Sequence, residues 1–438
     1  MKEYDGKMKK VNRREFLRRG STALGTLAAL PVVVPSSVRG RAAGATAPSE
    51  CITMASIGNG GRCQHILPHF MLFDDLRVRA VCDVRAERLR AVQTMVNHRY
   101  KNTDCREYRD FREVLARKDI DSVFIATGDR WHSLVSIMAA KAGKDIYSEK
   151  PMSLTIEEGR ALVETMKRFG TVYQCGHQRR SVDSYRFQVE VAQSGMIGKF
   201  HTVLARVWES AVVGAQDGQA VPDGFDYDMW LGATPYHPYS PNRVNGWNYF
   251  WDTGGGVLTA MGCHYTDIAQ WGLDTDDTGP VEYEGTAIYN EQGMSDAPVT
   301  CEVNCRYADG RNLIIQSQGA FKDRFIRFIG SEGWIQVDDE TNVMTAQPAS
   351  ILKRRGVSAR GWASTGDHIR NFIDCIRSRR ETVCSPEKSH RATTVCHVAN
   401  ICLRLGRKVK WNPQRERFVN DTEADRMIAR AMRPPWRL

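Results

Sequence analysis

Beyond its first 45 residues the chain has no long uncharged apolar run, no excess of one charge and no closely spaced set of metal-type ligands. Each absence removes a class of function. A membrane-crossing helix needs about 20 predominantly apolar residues, and no later segment of the 438 residues supplies them. The formal charge of +10 at pH 7 suggests an acidic partner until it is located. The first 45 residues hold ten of the 61 basic residues and three of the 51 acidic ones, which leaves 51 against 48 and a body of only +3. Nucleic acid is therefore not a partner that the composition supports. Twelve cysteines in so long a chain do not make a disulfide scaffold. Cys301 and Cys305 form C-x3-C without a second pair near by, and His390, Cys396 and His397 make no known ligand spacing, so no metal is expected.

The charge sits in the leader. Lys7, Lys9 and Lys10 precede Asn12-Arg13-Arg14-Glu15-Phe16-Leu17, and an uncharged stretch from Ser21 to Val38 and small residues at Ala42–Ala47 follow. An arginine pair before Phe-Leu and a mild apolar region resembles a twin-arginine export signal, with cleavage expected after Ala45 and a periplasmic mature protein. Gly20, Gly25, Pro31 and Pro35 make the apolar stretch a poor permanent span. The remaining length exceeds one ordinary core and divides into expected domains at 46–175 and 176–438.

From Cys51 the chain reads as apolar strand, glycine turn and helix: Cys51–Ile57, then Gly58-Asn59-Gly60-Gly61-Arg62-Cys63, then a helix through Phe73. The turn is G-x-G-x-x-G with Cys63 in the third place, where Gly or Ala usually lets the helix pack close. A second strand, Arg77–Cys82, ends in Asp83, where a carboxylate binds adenosine ribose hydroxyls. This pattern predicts a dinucleotide site. Asp83 favours NAD, while Arg85 and Arg88 are the alternative, a grip for the extra phosphate of NADP. Further units follow: a helix near Phe111–Arg117, strand Ser122–Ala126, helix Leu134–Ala142, strand Asp145–Tyr147, helix Ile156–Arg168 and strand Val172–Cys175. Such alternation predicts a parallel, doubly wound α/β Rossmann sheet. Thr127 and His132 bracket the loop after one strand, and Glu149-Lys150-Pro151 ends another, with Thr155 and Glu158 as a capping box beyond it. Strand carboxyl ends are where ligands bind in these sheets. Pro151 biases Lys150 toward an extended backbone, which aims its side chain in one direction.

Past Gly176 the pattern changes. A helix around Ser184–Ser194 and a strand Phe200–Trp208 open a region of longer strands: Val281–Tyr289, Val299–Tyr307, Asn312–Gln318, Phe325–Phe328 and Gly333–Val337. Strands in succession predict an α+β domain with a large, open, mostly antiparallel sheet. Two late helices, His368–Arg377 and Ser389–Leu405, are expected to pack back across the domains, and the charged tail from Trp411 to run over the surface. Between Asp223 and Trp251 lies a loop rich in aromatics and amides, including Arg243, Trp247 and Tyr249. Rings that cover C–H faces and polar groups that take hydroxyls suit a polyhydroxylated ring; a loop stapled down by its own aromatics has the same composition. Gly254-Gly255-Gly256 then leads into a helix on which Ala260, His264 and Asp267 fall on one face.

Gly58-x-Gly60, Glu149-Lys150-Pro151 and Gly254-Gly255-Gly256 followed by Gly262-x-His264-x-x-Asp267, in this order, resemble the Gfo/Idh/MocA family from about Cys51 to the C-terminus. The resemblance implies a Rossmann domain, a second domain with an open sheet, bound NAD or NADP, hydride transfer at a carbohydrate or cyclitol carbon, and a homo-oligomer, dimer or tetramer, built through that sheet. It gives Lys150 and His264 as the catalytic pair, the lysine binding nicotinamide ribose and the reacting hydroxyl and the histidine taking the hydroxyl proton. Gly58, Asn59, Gly60, Gly61, Arg62, Asp83, Thr127, His132, Glu149 and Lys150 are the expected cofactor contacts. Arg179, Arg243, Trp247, Tyr249 and Asp267 are the expected substrate contacts. The departure is at 260, where many relatives have Asp and this chain has Ala. The expected function is an exported sugar oxidoreductase with tightly held cofactor; the alternatives are an NAD-dependent glycoside hydrolase of the same family type and a non-catalytic cofactor-bound binding protein.

Overall fold

Strand and helix alternate from Ile52 to Cys175 as the spacing requires, in a computed structural model that describes residues 50–317, 324–353 and 368–438. The expected export leader lies outside the described residues. The order is β1 (Ile52–Ile57), α1 (Gly61–Phe70), β2 (Leu76–Cys82), α2 (Ala86–Tyr100), β3 (Arg106–Tyr108), α3 (Phe111–Ala116), β4 (Ser122–Ile125), α4 (Asp129–Lys141), β5 (Asp145–Ser148), α5 (Ile156–Phe169) and β6 (Tyr173–Cys175). The strands are parallel and ordered β3-β2-β1-β4-β5-β6. Crossover helices cover both faces, so β4 and β5 are buried along their whole length. The Thr155 hydroxyl caps α5 by accepting from Glu158 N–H at 3.3 Å, which starts the helix soon after the Lys150 turn. The order reverses between β1 and β4, and the crevice at their carboxyl ends is where such a sheet binds ligands.

Among the described residues a second sheet of nine strands follows. After α6 (Asp183–Gln193) come β7 (Phe200–Val207), α7 (Tyr227–Leu231), α8 (Pro241–Asn245), α9 (Gly256–Ala260) and α10 (Gly262–Gly272). Then β8 (Glu282–Ile288), β9 (Thr300–Arg306), β10 (Asn312–Ser317), β11 (Phe325–Gly330), β12 (Gly333–Asp338) and β13 (Met344–Gln347) precede α11 (His368–Ser378), α12 (Pro386–Leu405), β14 (Val409–Asn412) and β15 (Arg417–Phe418). The order is β13-β12-β11-β7-β10-β9-β8-β14-β15, antiparallel except where β10 runs parallel to β7. Cys301, Val303 and Cys305 of β9 point inward while Glu302, Asn304 and Arg306 point out, the alternation of a sheet with one covered face. Helices α6, α10 and α12 supply that cover. Ile369, Phe372 and Ile373 of α11 instead join the core that α1 and α2 form with the parallel sheet.

Two expectations give way. The helix carrying Ala260, His264 and Asp267 is broken: α9 ends at Ala260, Met261 takes φ −113°, and α10 begins at Gly262, so Ala260 does not share a helical face with the other two. The tail from Trp411 does not merely run over the surface. Trp411 pairs into the sheet against Val281 and is buried on Phe418, with ring centroids 5.0 Å apart, and Trp436 packs edge-on to Trp131 at 4.7 Å. Three large apolar side chains outweigh the charges around them when they find a surface to bury.

Candidate active site

The glycine turn after β1 is built against the end of β4. Gly58 sits at φ +86°, and a Cβ there would lie 2.6 Å from the Thr127 nitrogen, so only glycine lets the turn pass so close. At Gly61 a Cβ would meet nothing within 4 Å, leaving backbone open to an approaching pyrophosphate at the first turn of α1. The Asn59 side chain turns inward to accept from the Ser56 hydroxyl at 3.1 Å, while its N–H donates to Asp83 Oδ2 at 2.5 Å. Arg85 N–H donates to the other oxygen of Asp83 at 2.8 Å, fixing the carboxylate at the end of β2. Gly58, Gly60, Gly61, Arg62, Asp83 and Thr127 border a cleft of about 280 Å³. The glycine cradle, the fixed carboxylate and the cleft together fit a dinucleotide.

Arg62 reaches from this cleft to Glu149, with Nε 3.1 Å from Oε1. Glu149 is buried, also accepts from Gln178 at 3.0 Å, and has its Oε2 without a protein partner. Its neighbour Lys150 donates from Nζ to the carbonyl oxygen of Ala260. That contact brings the turn after β5 to the end of α9, two residues before the start of the turn that carries His264. His264 is 4 % exposed and its Nδ1 has no protein partner. Burial, and then the cations Arg179 and Lys150, push its pKa well below the usual histidine value, so it is neutral at pH 7 and able to accept a proton. An ammonium and a proton-accepting imidazole thus lie near each other, and the Arg62–Glu149 ion pair links the lysine's turn to the cleft.

Two family models cover nearly all of the described chain: one for an oxidoreductase family's NAD-binding Rossmann fold matches residues 52–177, and one for its C-terminal alpha/beta domain matches 191–438. The chain belongs to the Gfo/Idh/MocA oxidoreductase family. The chain is 24 % identical over 348 residues to myo-inositol 2-dehydrogenase of Thermotoga maritima, covering 77 % of this chain and 92 % of the relative. To 1,5-anhydro-D-fructose reductase of Ensifer adhaerens it is 24 % identical over 248 residues, 56 % of this chain but only 63 % of that relative's length. To glycosyl hydrolase family 109 protein 1 of a Shewanella species it is 30 % identical over 174 residues, 37 % of this chain and 38 % of the relative. Its fold matches the WlbA dehydrogenase of Bordetella pertussis, solved with NADH and UDP-GlcNAcA, at a TM-score of 0.62 and 17 % identity, over 83 % of this chain and 99 % of that one.

Against this Gfo/Idh/MocA frame several expected contacts turn out to be committed elsewhere. His132 does not border the cleft: its Nδ1 lies 2.7 Å from the Pro151 carbonyl and its Nε2 3.2 Å from that of Thr127, so the ring ties two turns together. Asp267 is not free to meet a substrate. It is fully buried and takes Arg180 Nε on both oxygens at 2.9 Å, while Arg180 also holds Asp276 at 2.6 Å. Arg179 is held by Asp339 at 2.5 Å. Arg243 is held by Asp252 at 2.6 Å and lies 4.4 Å over the Phe250 ring, so it staples its own loop. Tyr249 serves the loop through its carbonyl, which accepts from Asp296 and Ala297. Trp247 borders the cofactor cleft.

Two residues that sequence reasoning passed over complete the site. His177, two residues after β6, is fully buried, and its ring lies edge-on to that of His264 with centroids 5.7 Å apart. Its signal was available, since it stands two residues past a parallel strand, as Lys150 does. Asp129, the first residue of α4, is buried near Lys150, and burial pushes its carboxyl up to about 7 despite that cation and Arg130.

Proposed function

We propose that this chain is an exported, NAD-dependent oxidoreductase acting on a hydroxyl of a sugar, glycoside or cyclitol. The observation that carries the reading is the convergence of Lys150 on Ala260 beside a buried, neutral His264 whose Nδ1 has no protein partner. When bound, NAD supplies the hydride acceptor. The glycine turn and Asp83 would hold its pyrophosphate and adenosine ribose, and Arg62 and Glu149 lie toward the reacting end. His264 takes the hydroxyl proton. Lys150, within reach of the same oxygen, stabilises the negative charge that grows there. The Ala260 carbonyl, which accepts from Lys150, does part of what an aspartate side chain at 260 would do, by holding the ammonium in place. The leader supports export to the periplasm, and the eleven buried cysteines, which form no disulfide with one another, agree with a protein folded before crossing. The half-exposed outer face of the nine-stranded sheet, where Leu204, Ile314 and Trp334 stand among polar side chains, supports a dimer or tetramer.

The alternative, a hydrolase that oxidises a glycoside transiently, eliminates its substituent and reduces the product back, draws support from the matched segment of the glycosyl hydrolase family 109 protein. Incubation with a panel of cyclitols, aldoses and aryl glycosides separates the two. Reduced cofactor or a keto sugar supports oxidation, whereas release of the aryl group without net reduction supports the hydrolase. No reaction with any of them overturns both. Export is tested by replacing Arg13 and Arg14 with lysine, which should leave the protein in the cytoplasm.

A further inference from the structure

Buried polar atoms are normally hydrogen-bonded, so a cluster of unpartnered ones marks a place prepared for something else. Four such atoms meet beside Lys150. Both ring nitrogens of His177, Nδ1 of His264 and Oε2 of Glu149 have no protein partner, and all three residues are at least nine-tenths buried. The surrounding charged groups are spent: Arg180 on Asp267 and Asp276, Arg179 on Asp339, His368 on Ser181 and the Cys175 carbonyl. His177 cannot turn to any of them without leaving its place. Gly176 before it is pinned against Glu149, where a Cβ would lie 2.9 Å from the carboxylate, and the His177 N–H is held by the Cys175 carbonyl at 2.7 Å.

A neutral imidazole offers a donor at one ring nitrogen and an acceptor at the other, and a hydroxyl, being both donor and acceptor, can pair with either. The two rings stand 5.7 Å apart at 86°, close enough for one small molecule carrying adjacent hydroxyls to meet both. We infer that His177 is a substrate contact that reads the hydroxyl adjacent to the reacting one, so that the substrate class is a vicinal diol. This rests on the oxidoreductase reading above and narrows it. A substrate lacking the neighbouring hydroxyl leaves His177 buried and unpaired in the complex, which is how sites built for a hydroxyl reject analogues without it.

The test uses full-length protein loaded with NADH, with the nicotinamide fluorescence reporting binding. The probes are myo-inositol, methyl glucosides and methyl galactosides, each paired with its monodeoxy analogues. Wild-type protein should bind at least one parent compound about 10–100-fold more tightly than the analogue lacking one neighbouring hydroxyl. In His177→Leu that ratio should fall toward one, and in His177→Gln, which keeps a donor and an acceptor, part of it should return. Melting of the loaded protein should be unchanged or raised in His177→Leu, because an unpaired buried imidazole is replaced by an apolar side chain. An unchanged ratio in His177→Leu overturns the inference, and so does a fall in melting temperature in both variants, which would make the residue structural. No saturable response to any probe in wild-type protein overturns the oxidoreductase reading itself, whereas a response that is equal in all three proteins overturns only the role of His177.

Discussion

The ammonium of Lys150 donates to the backbone carbonyl of Ala260, across 110 residues of sequence and between the two sheets. The lysine therefore depends on where α9 ends, not on a side chain at 260. Replacing it removes the charge that stabilises the developing alkoxide. Lys150→Ala should lower kcat on the order of 10²–10³-fold, the usual cost of one such donor. Its stability should change by only about 1 kcal/mol, since a single hydrogen bond is lost at a partly exposed position. Near-normal turnover with an intact fold would show that the turn after β5 takes no part in chemistry.

His264 is predicted to act as a base over an unusually wide range. Burial and the nearby cations hold its pKa well below the ordinary value, so the acid limb of kcat/KM should lie below pH 6.5. His264→Ala should reduce the rate on the order of 10²–10⁴-fold and abolish that limb. A limb that persists in the variant assigns it to another group.

Asp129 gives a stability prediction with a definite sign. Its carboxyl is raised from 3.8 to about 7 in the folded protein by burial. Below pH 4 both states are protonated. As pH rises toward 7 the unfolded chain ionises first, so folding stability falls across that window and levels off above it. Asp129→Asn removes the decline, and the variant should gain on wild-type protein steadily between pH 4 and 7, by no more than about 4 kcal/mol. Thermal melts of the pair across this range check it: a constant difference shows that Asp129 ionises normally.

Much of the parallel sheet was legible because its strands are continuous apolar runs closed by glycine turns or carboxylates. What escaped had no such pattern. Strand β3 is three residues, Arg-Glu-Tyr, and mostly exposed at the sheet edge, and α2 shows the core only Leu89, Val92 and Val96 among polar neighbours. The break at Met261 was hidden because i, i+4 spacing continues through it on paper. Asp267 looked like a ligand because its partner, Arg180, is 87 residues away. His177 was passed over for the opposite reason: its place after a strand was visible, but its meaning lies in ring nitrogens that have no protein partner.

The last prediction concerns how the nucleotide is kept. A segment from beyond the parallel sheet crosses the adenosine side of the cleft and is bonded to it: Ala86 N–H donates to the Gly224 carbonyl at 2.9 Å, and Asp226 N–H to that of Val84 at 2.9 Å. The Arg85 guanidinium lies 4.3 Å over the Phe225 ring, and Arg130 lies 3.9 Å over Trp230 while donating to its carbonyl at 2.8 Å. Arg130, Trp230 and Trp247 all border the cleft. A nucleotide beneath this strap leaves only if several hydrogen bonds and two cation–ring contacts open together, each contact worth about 0.5–2 kcal/mol. Tight retention would also suit the proposed export, in which the cofactor is loaded beforehand and is not freely exchanged afterwards. Protein purified without added nucleotide should therefore release a stoichiometric nicotinamide nucleotide on denaturation. Adding more should not raise the melting temperature until the bound nucleotide has been stripped. Phe225→Ala combined with Trp230→Ala should speed the loss of bound NADH at least tenfold in a fluorescence chase. Exchange within seconds in wild-type protein would show that the strap does not hold the nucleotide.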